Sequence, residues 1–107
     1  MALTKNEKNV VSYFKEQLAD RYPLRDVRIF GSKIRGDDTS QSDIDVMIEL
    51  TEVTPDIESE IYDLAYDINL KNDCFISVVI FSKDEIEEGP MSESPIYKVI
   101  MKEGVSI

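Results

Sequence analysis

A chain of 107 residues with 42% hydrophobic content can bury the core of one domain, so we expect a single domain over residues 1–107. With Cys74 as its one cysteine and no histidine, the chain excludes disulfide scaffolds, Cys/His zinc sites and histidine-based catalytic triads. Twenty-two acidic against twelve basic side chains give a net charge of −10, which disfavours nucleic-acid binding and suits a basic partner or divalent cations.

No apolar run approaches the roughly 18 residues that a membrane span needs, and residues 1–7 lack the apolar centre of a signal peptide. We therefore expect a soluble, cytoplasmic protein without a membrane partner.

The first predicted element is a helix. Thr4 and Glu7 have the spacing of a capping box, and apolar residues follow at helical intervals up to a stop near Tyr22-Pro23. The next element, Val27-Arg28-Ile29-Phe30, is typical of a short strand that ends at Gly31-Ser32.

Acidic and apolar side chains alternate along most of residues 43–50, which predicts a half-buried strand with carboxylates on its open face. The apolar positions are Ile44, Val46, Ile48 and Leu50, and the acidic positions on the other parity are Asp43, Asp45 and Glu49.

The rest of the chain predicts further helices and one more strand. Thr54-Pro55 begins a second amphipathic helix, and residues 74–81 form a β-branched and aromatic run typical of a well-covered strand. Ser82 to Glu85 has capping-box spacing for a short acidic helix, and a last helix runs from Ser94-Pro95 to Gly104. The pattern predicts an α/β (α+β) fold in which a small mixed sheet carries helices on one face.

Asp43 and Asp45 are the first candidate site residues. Carboxylates at positions i and i+2 of a strand project from the same face with Cα atoms about 6.5 Å apart, so their oxygens can share a pair of magnesium ions. A two-metal site of this kind stabilises the attacking and leaving oxygens of a phosphoryl-type transfer. An Asp-x-Asp pair alone is also common on solvated strands.

Gly31-Ser32 strengthens the metal-site interpretation. A glycine directly after a strand lets the backbone approach a phosphate closely, and the hydroxyl and N–H of the next residue can bind phosphate oxygens. Gly-Ser followed at one fixed separation by Asp-x-Asp arises by chance in roughly one chain in a thousand of this size. The combination predicts a site for a nucleotide and magnesium.

The segments Ile29–Gly36 and Ser42–Val46 together resemble the signature of the minimal nucleotidyltransferase (MNT) family of the polymerase-β-like superfamily. Residues 75–85 and 94–104 resemble the last strand and final helix of such domains. The resemblance implies a polymerase-β-like nucleotidyltransferase fold that binds ATP and two Mg²⁺ ions and transfers AMP to an acceptor with loss of pyrophosphate.

The same resemblance implies roles for individual residues. Gly31 and Ser32 would hold the β/γ-phosphates, and Asp43 and Asp45 would hold the metals and act as the catalytic residues. Lys33 and Arg35 lie on the same loop, where either could neutralise phosphate charge or stand as a solvated cation.

The family commonly adds a third carboxylate on the strand that we place at residues 74–81. The side chains that we expect on the open face of that strand are Phe75, Ser77 and Val79, and none of them is acidic. Asp73 and Glu49 are the remaining candidates, and a solvated carboxylate is the alternative interpretation of each. A missing base costs on the order of 10² to 10⁴ in rate and leaves nucleotide binding largely intact.

Small MNT domains are often the antitoxin half of HEPN/MNT pairs, which implies adenylylation of a tyrosine on a basic, helical HEPN ribonuclease toxin. Two other functional classes stay open at this point. One is a noncatalytic module that neutralises its partner by binding. The other is a transferase for a small molecule such as an aminoglycoside, which fits least because such enzymes usually carry an extra domain for the acceptor.

Overall fold

The computed structural model of the chain describes residues 3–36 and 43–107. Four β-strands of the described residues form one mixed sheet in the order β3-β2-β1-β4, in which β2 and β3 are parallel and the other neighbours are antiparallel. In chain order the elements are α1 (Lys5–Arg21), β1 (Leu24–Phe30), α2 (Ser32–Arg35), β2 (Ile44–Leu50), α3 (Pro55–Lys71), β3 (Ile76–Ser82), α4 (Lys83–Glu87), a 3₁₀ turn (Pro90–Glu93), α5 (Pro95–Glu103) and β4 (Val105–Ser106).

Side-chain caps define the starts of the two long helices, as the sequence predicts. The Thr4 hydroxyl accepts from the Glu7 N–H at 3.1 Å, and the Glu7 carboxylate accepts from the Thr4 N–H at 2.9 Å. At α3 the Thr54 hydroxyl accepts from the Ile57 N–H at 3.1 Å, with Pro55 in the first turn. Each cap satisfies backbone donors that a helix leaves unpaired at its N-terminus.

The main core lies between one face of the sheet and helices α1 and α3. The inward residues of β2 are fully buried there, as the alternation predicts: Ile44, Val46, Ile48 and Leu50. Phe14 and Leu18 of α1 and Ile61 of α3 are fully buried against the same face. None of the helices in residues 3–36 and 43–107 has the length and apolar character to span a membrane.

The other face of the sheet is partly covered as well, which differs from the prediction of helices on one face. Met47 of β2, Phe81 of β3 and Ile100 of α5 form a second buried cluster. The ring of Tyr97 packs edge-on against Phe81 with centroids 5.5 Å apart. Met47 lies on the same side of β2 as Asp45 and Glu49. An apolar side chain on that side is stabilised by burial from water, and Ile100 of α5 packs against it.

Several element bounds differ from the sequence expectations. Strand β1 begins at Leu24 rather than Val27, and β3 runs over Ile76–Ser82 rather than residues 74–81. The four-residue helix α2 and the two-residue strand β4 were not predicted, because elements so short carry no periodic pattern. Ser42, which belongs to the MNT-like signature, lies outside the described residues.

Candidate functional site

The topology gathers the predicted site residues at one end of the sheet. Because β1 and β2 are antiparallel, Phe30 at the end of β1 pairs with Asp45 at the start of β2. Gly31 and Ser32 follow directly, so the loop after β1 lies beside the acidic pair. On the other side of β2, the parallel register places Ser77 of β3 opposite Asp45.

Gly31 brings the loop backbone into close contact with Asp45. Its φ of +82° and ψ of −155° define a backbone conformation that is essentially restricted to glycine. A Cβ atom added at Gly31 would lie 2.3 Å from the Asp45 Oδ2 atom. Because Gly31 has no side chain, the loop backbone and the Asp45 carboxylate can lie this close together.

Asp45 lies on the open face of β2 and is partly buried, and Asp43, directly before β2, has the same parity and is exposed. Burial raises the pKa of Asp45, the neighbouring charge of Asp43 raises it further, and the positive charge of Arg35 lowers it. Two neighbouring carboxylates beside a backbone without a side chain match the hard oxygen donors that Mg²⁺ prefers. The donor set therefore fits a magnesium ion, with Asp43 and Asp45 as the residues that would hold it.

Lys33 contacts α1 rather than extending freely into solvent. Its Nζ atom lies 3.0 Å from the Glu7 Oε2 atom, and the two side chains are only 6% and 10% exposed. Burial alone would raise the pKa of Glu7. The hydrogen bonds that Glu7 accepts from the Thr4 backbone and from Lys33, together with the positive charge of Lys33, outweigh burial, so the pKa of Glu7 is lowered. The pair joins the loop to α1, and contact of Lys33 with a phosphate stays a prediction.

Arg35 lies nearer to the acidic pair in electrostatic terms. Its guanidinium is about half exposed and contacts the Glu103 carboxylate of α5 at 3.2 Å. The positive charge of Arg35 also lowers the pKa of Asp45. Arg35 therefore has an electrostatic link to Asp45, and its contact with a phosphate stays a prediction.

Neither candidate for a third carboxylate joins the Asp43/Asp45 pair. Glu49 lies four residues further along β2, about 13 Å away, and contacts the Arg25 Nε atom at 3.1 Å. Asp73 is exposed and precedes β3. Ser77 occupies the position opposite Asp45 and is exposed. Within the described residues, no group of three or more cysteine and carboxylate side chains converges to hold a metal.

The contact between Glu7 and Lys33 is the feature of this site that sequence reasoning missed. The sequence pattern around Glu7 indicates its capping box, and nothing in the chain order indicates that a loop lysine packs against the same carboxylate. The prediction that Ser77 and Val79 lie on the open face of β3 is, by contrast, confirmed. Ser77 pairs with Asp45, and Val79 packs in the second cluster with Met47.

Comparison with known proteins agrees with this geometry. A family model described as a nucleotidyltransferase domain matches residues 11–107. The chain belongs to the nucleotidyltransferase domain family. The match covers both Gly31-Ser32 and the Asp43/Asp45 pair.

Curated relatives of the chain carry names that refer to protein adenylylation. A Methanocaldococcus jannaschii protein named as a candidate protein adenylyltransferase is 34% identical over 90 residues, covering 76% of this chain and 88% of that protein. Another from the same organism is 40% identical over 45 residues, which is 42% of this chain and 45% of that protein. The protein adenylyltransferase MntA of Thermococcus cleftensis is 29% identical over 45 residues, covering 42% of this chain and 46% of that protein. The chain thus spans about half the length of some curated relatives that it matches.

Two solved structures share the fold. A candidate nucleotidyltransferase from Sulfolobus solfataricus aligns with a TM-score of 0.54 and 23% identity, covering 92% of this chain and 76% of that one. A toxin-antitoxin structure with AMP-PNP aligns with a TM-score of 0.62 and 19% identity, covering 92% of this chain and 70% of that one. Both support the nucleotidyltransferase fold, and together with the family match they confirm the predicted fold class.

Proposed function

We propose that this chain binds ATP with Mg²⁺ at the Gly31-Ser32 loop and the Asp43/Asp45 pair, and transfers AMP to a hydroxyl group of a partner protein. The observation that carries the proposal is the contact of the Gly31 backbone with the Asp45 carboxylate. A phosphate held by Gly31 and Ser32 lies next to any cation held by Asp45. Phosphate binding and metal binding therefore act on one triphosphate.

The proposed reaction is a displacement at the α-phosphorus. The acceptor oxygen forms a bond to the α-phosphorus, the bond from that phosphorus to the bridging α–β oxygen breaks, and pyrophosphate leaves with the electron pair. The acceptor proton passes to water or to a base of the partner. Bound Mg²⁺ would supply charge neutralisation for the triphosphate. Asp43 and Asp45 hold that charge in place, while Gly31 and Ser32 orient the leaving phosphates.

A protein acceptor is favoured over a small molecule by two observations. Several curated relatives are named as protein adenylyltransferases, and one neighbour in fold is a toxin-antitoxin structure with AMP-PNP. The acidic pair also lies at an open end of the sheet, where Asp43 and Ser77 are exposed. The finer proposal is that the chain is an antitoxin whose acceptor is a tyrosine of a basic, helical HEPN-type ribonuclease toxin.

The test is co-expression of the chain with the product of the adjacent reading frame, followed by intact-mass measurement of both proteins. The proposal predicts a gain of one or more AMP units on the partner with the wild-type chain and none with Asp43→Ala/Asp45→Ala. Mapping the adduct by peptide sequencing tests the tyrosine. An unmodified partner in both strains, with ATP and Mg²⁺ present, would contradict the proposed transfer.

Ser77 supports a second candidate function, in which the chain neutralises its partner by binding alone. A serine stands where the open face of β3 comes closest to Asp45, so no carboxylate assists deprotonation of an acceptor from that position. Rescue of growth by Asp43→Ala/Asp45→Ala, with no adduct on either protein, would favour this candidate. Loss of rescue in the same variant favours catalysis.

A further inference from the structure

The Gly31-Ser32 loop continues into a helix that is too short to hold its own position. Helix α2 has four residues, and its N-cap Gly31 makes no side-chain hydrogen bond. The N–H groups of Ile34 and Arg35 donate to the Gly31 carbonyl at 3.1 and 3.0 Å, which closes a single turn. Such a turn is unstable alone, because fixing its backbone costs more free energy than its few hydrogen bonds return. The position of Gly31-Ser32 therefore depends on contacts between α2 and the rest of the fold.

Lys33 is the buried side chain of α2. Its Nζ atom lies 3.0 Å from the Glu7 Oε2 atom, and the two side chains are 6% and 10% exposed. The contact of Arg35 with Glu103 of α5 is far more exposed, at 48% and 28%. Exposed ion pairs contribute little to stability, whereas breaking a buried pair leaves a charge without compensation away from water. The Lys33–Glu7 contact therefore constrains α2 more strongly than the Arg35–Glu103 contact does.

The Glu7 carboxylate uses both of its oxygen atoms. Its Oε2 atom contacts Lys33, and its Oε1 atom accepts from the Thr4 N–H at 2.9 Å in the capping box of α1. The Glu7 N–H in turn donates to the Thr4 hydroxyl at 3.1 Å. The next turns of α1 are fixed to the main core by the buried side chains of Val10 and Phe14. Glu7 is therefore a fixed anchor, and Lys33 links α2 to that anchor.

Direct contact of Lys33 with a phosphate would break this arrangement. The Lys33 Nζ atom would have to leave Glu7, and the Glu7 carboxylate would stay buried without its cation, which is costly. A Lys33 that stays with Glu7 acts on the nucleotide through the backbone instead. Lys33 directly follows Ser32, so a shift of Lys33 moves the N–H and hydroxyl that we propose to bind phosphate oxygens. A misplacement of about 1 Å is enough to impair an aligned site strongly.

We propose that Glu7 is a positioning residue of the nucleotide site, and that through Lys33 it holds the Gly31-Ser32 loop beside Asp45. This inference rests on the proposed site for Mg²⁺-ATP. Glu7 itself touches neither the phosphates nor the metal, and its effect on nucleotide affinity passes through the Lys33 contact.

The test compares Glu7→Gln, Lys33→Met and the double variant Glu7→Gln/Lys33→Met with the wild type. Glu60→Gln is the matched control, because Glu60 accepts from the Tyr22 hydroxyl at 2.9 Å and Tyr22 caps the other end of α1, roughly 25 Å from Thr4. Urea unfolding measures stability, and circular dichroism gives the folded fraction. Calorimetry measures Mg²⁺-ATP affinity, and competition with labelled ATP measures the affinity for AMP.

We expect Glu7→Gln and Lys33→Met each to bind Mg²⁺-ATP about tenfold more weakly, a loss of about 1.4 kcal/mol. AMP lacks the β- and γ-phosphates that the loop would hold, so its affinity should stay unchanged. The double variant should bind Mg²⁺-ATP no more weakly than the single variants, because both changes remove one contact. It should also unfold at higher urea than Lys33→Met, because no buried charge is left unpaired. Glu60→Gln should bind like the wild type.

Several results would overturn the proposal. Equal or tighter Mg²⁺-ATP binding by Glu7→Gln, with a loss confined to Lys33→Met, would assign Lys33 to the phosphates. Equal losses for ATP and AMP, or ATP affinity that recovers with stability in the double variant, would indicate a general structural role. A wild type that binds no Mg²⁺-ATP would overturn the proposed site together with this inference, whereas unchanged affinity in every variant of a binding wild type would overturn the inference alone.

Discussion

Strand β2 carries a carboxylate near each end on the same face, and the two carboxylates have different neighbours. At one end, Glu49 contacts the Arg25 Nε atom at 3.1 Å. Beside it on β1, the Arg28 Nε atom contacts Asp26 at 2.8 Å. At the other end, the neighbour of Asp45 is the bare backbone of Gly31.

The pKa values of Asp45 and Glu49 reflect this difference. Burial is the first cause that raises the pKa of each. The next cause for Glu49 is the Arg25 charge, which lowers the pKa, whereas for Asp45 it is Asp43, which raises the pKa further. The Glu49 end is a structural ion pair, and the Asp45 end concentrates negative charge that a bound cation would neutralise. The following changes test that distinction.

Gly31→Val should have the largest effect. The backbone conformation of Gly31, with φ +82° and ψ −155°, penalises a side chain by roughly 1–3 kcal/mol, and the new Cβ atom would displace Asp45. We expect Mg²⁺-ATP affinity in calorimetry to fall by about 100-fold or more, equivalent to ~2.7 kcal/mol. Ser32→Ala should cost less, about 1.5 kcal/mol, because it removes one hydrogen bond to a charged group and leaves the loop backbone unchanged.

Gly36→Ala is the matched control for the glycine prediction. Gly36 has the same φ of +82°, but an added Cβ atom would meet nothing within 4 Å. The variant should lose stability in urea unfolding and keep its ATP affinity. Retained nucleotide binding in a folded Gly31→Val protein would contradict the phosphate-loop assignment.

Lys33→Met should destabilise the fold by about 3–5 kcal/mol, because it leaves the buried Glu7 carboxylate without its cation. Lys83→Met is the control, since Lys83 forms an exposed contact of 3.9 Å with Glu87 worth about 0–1 kcal/mol. Urea unfolding measures both. A large loss of ATP affinity with little change in stability would instead assign Lys33 to the phosphates.

The same ion pair predicts a pH dependence of stability. The pKa of Glu7 is lowered in the folded state, so its contribution is present above the ordinary carboxyl pKa and is lost as the pH falls through the lowered value. Unfolding free energy should therefore drop more on acidification in the wild type than in Glu7→Gln. Parallel pH profiles for the two proteins would show that the pair contributes little.

Ser77→Asp should give the smallest effect on binding and a gain in reaction rate. The substitution places a carboxylate opposite Asp45 on the open face, where it can accept the acceptor proton. We expect AMP transfer to the partner, followed by intact mass, to accelerate by about tenfold to 100-fold, with Ser77→Ala unchanged. Equal transfer by all three proteins would indicate that the partner supplies the base.

Local patterns predicted much of the fold. At the helix starts, the hydroxyls of Thr4 and Thr54 accept from backbone N–H groups three residues further on. The faces of β2 and β3 follow from the alternation of side chains along a strand. Gly31-Ser32 and Asp43/Asp45 were predicted as a site from their residue types and spacing, and the pairing of Phe30 with Asp45 places the two motifs at one end of the sheet.

Features that depend on distant contacts could not be predicted in this way. Strand β4 exists because Val105 pairs with Ile29, and its two residues carry no alternation of their own. The cover over Met47 comes from Ile100 of α5. The Lys33–Glu7 pair likewise joins two segments whose contact only the folded chain defines.

The most direct test of the difference between the two ends of β2 is a calorimetric titration of ATP with and without Mg²⁺ into the wild type, Asp43→Asn/Asp45→Asn and Glu49→Gln. Removing Asp43 and Asp45 should abolish the magnesium-dependent part of ATP binding, because in the proposed site these carboxylates would hold the cation that links the protein to the triphosphate. Glu49→Gln should bind Mg²⁺-ATP like the wild type. Equal affinity in the double variant and the wild type, or an equal loss in Glu49→Gln, would contradict the metal site at Asp43 and Asp45.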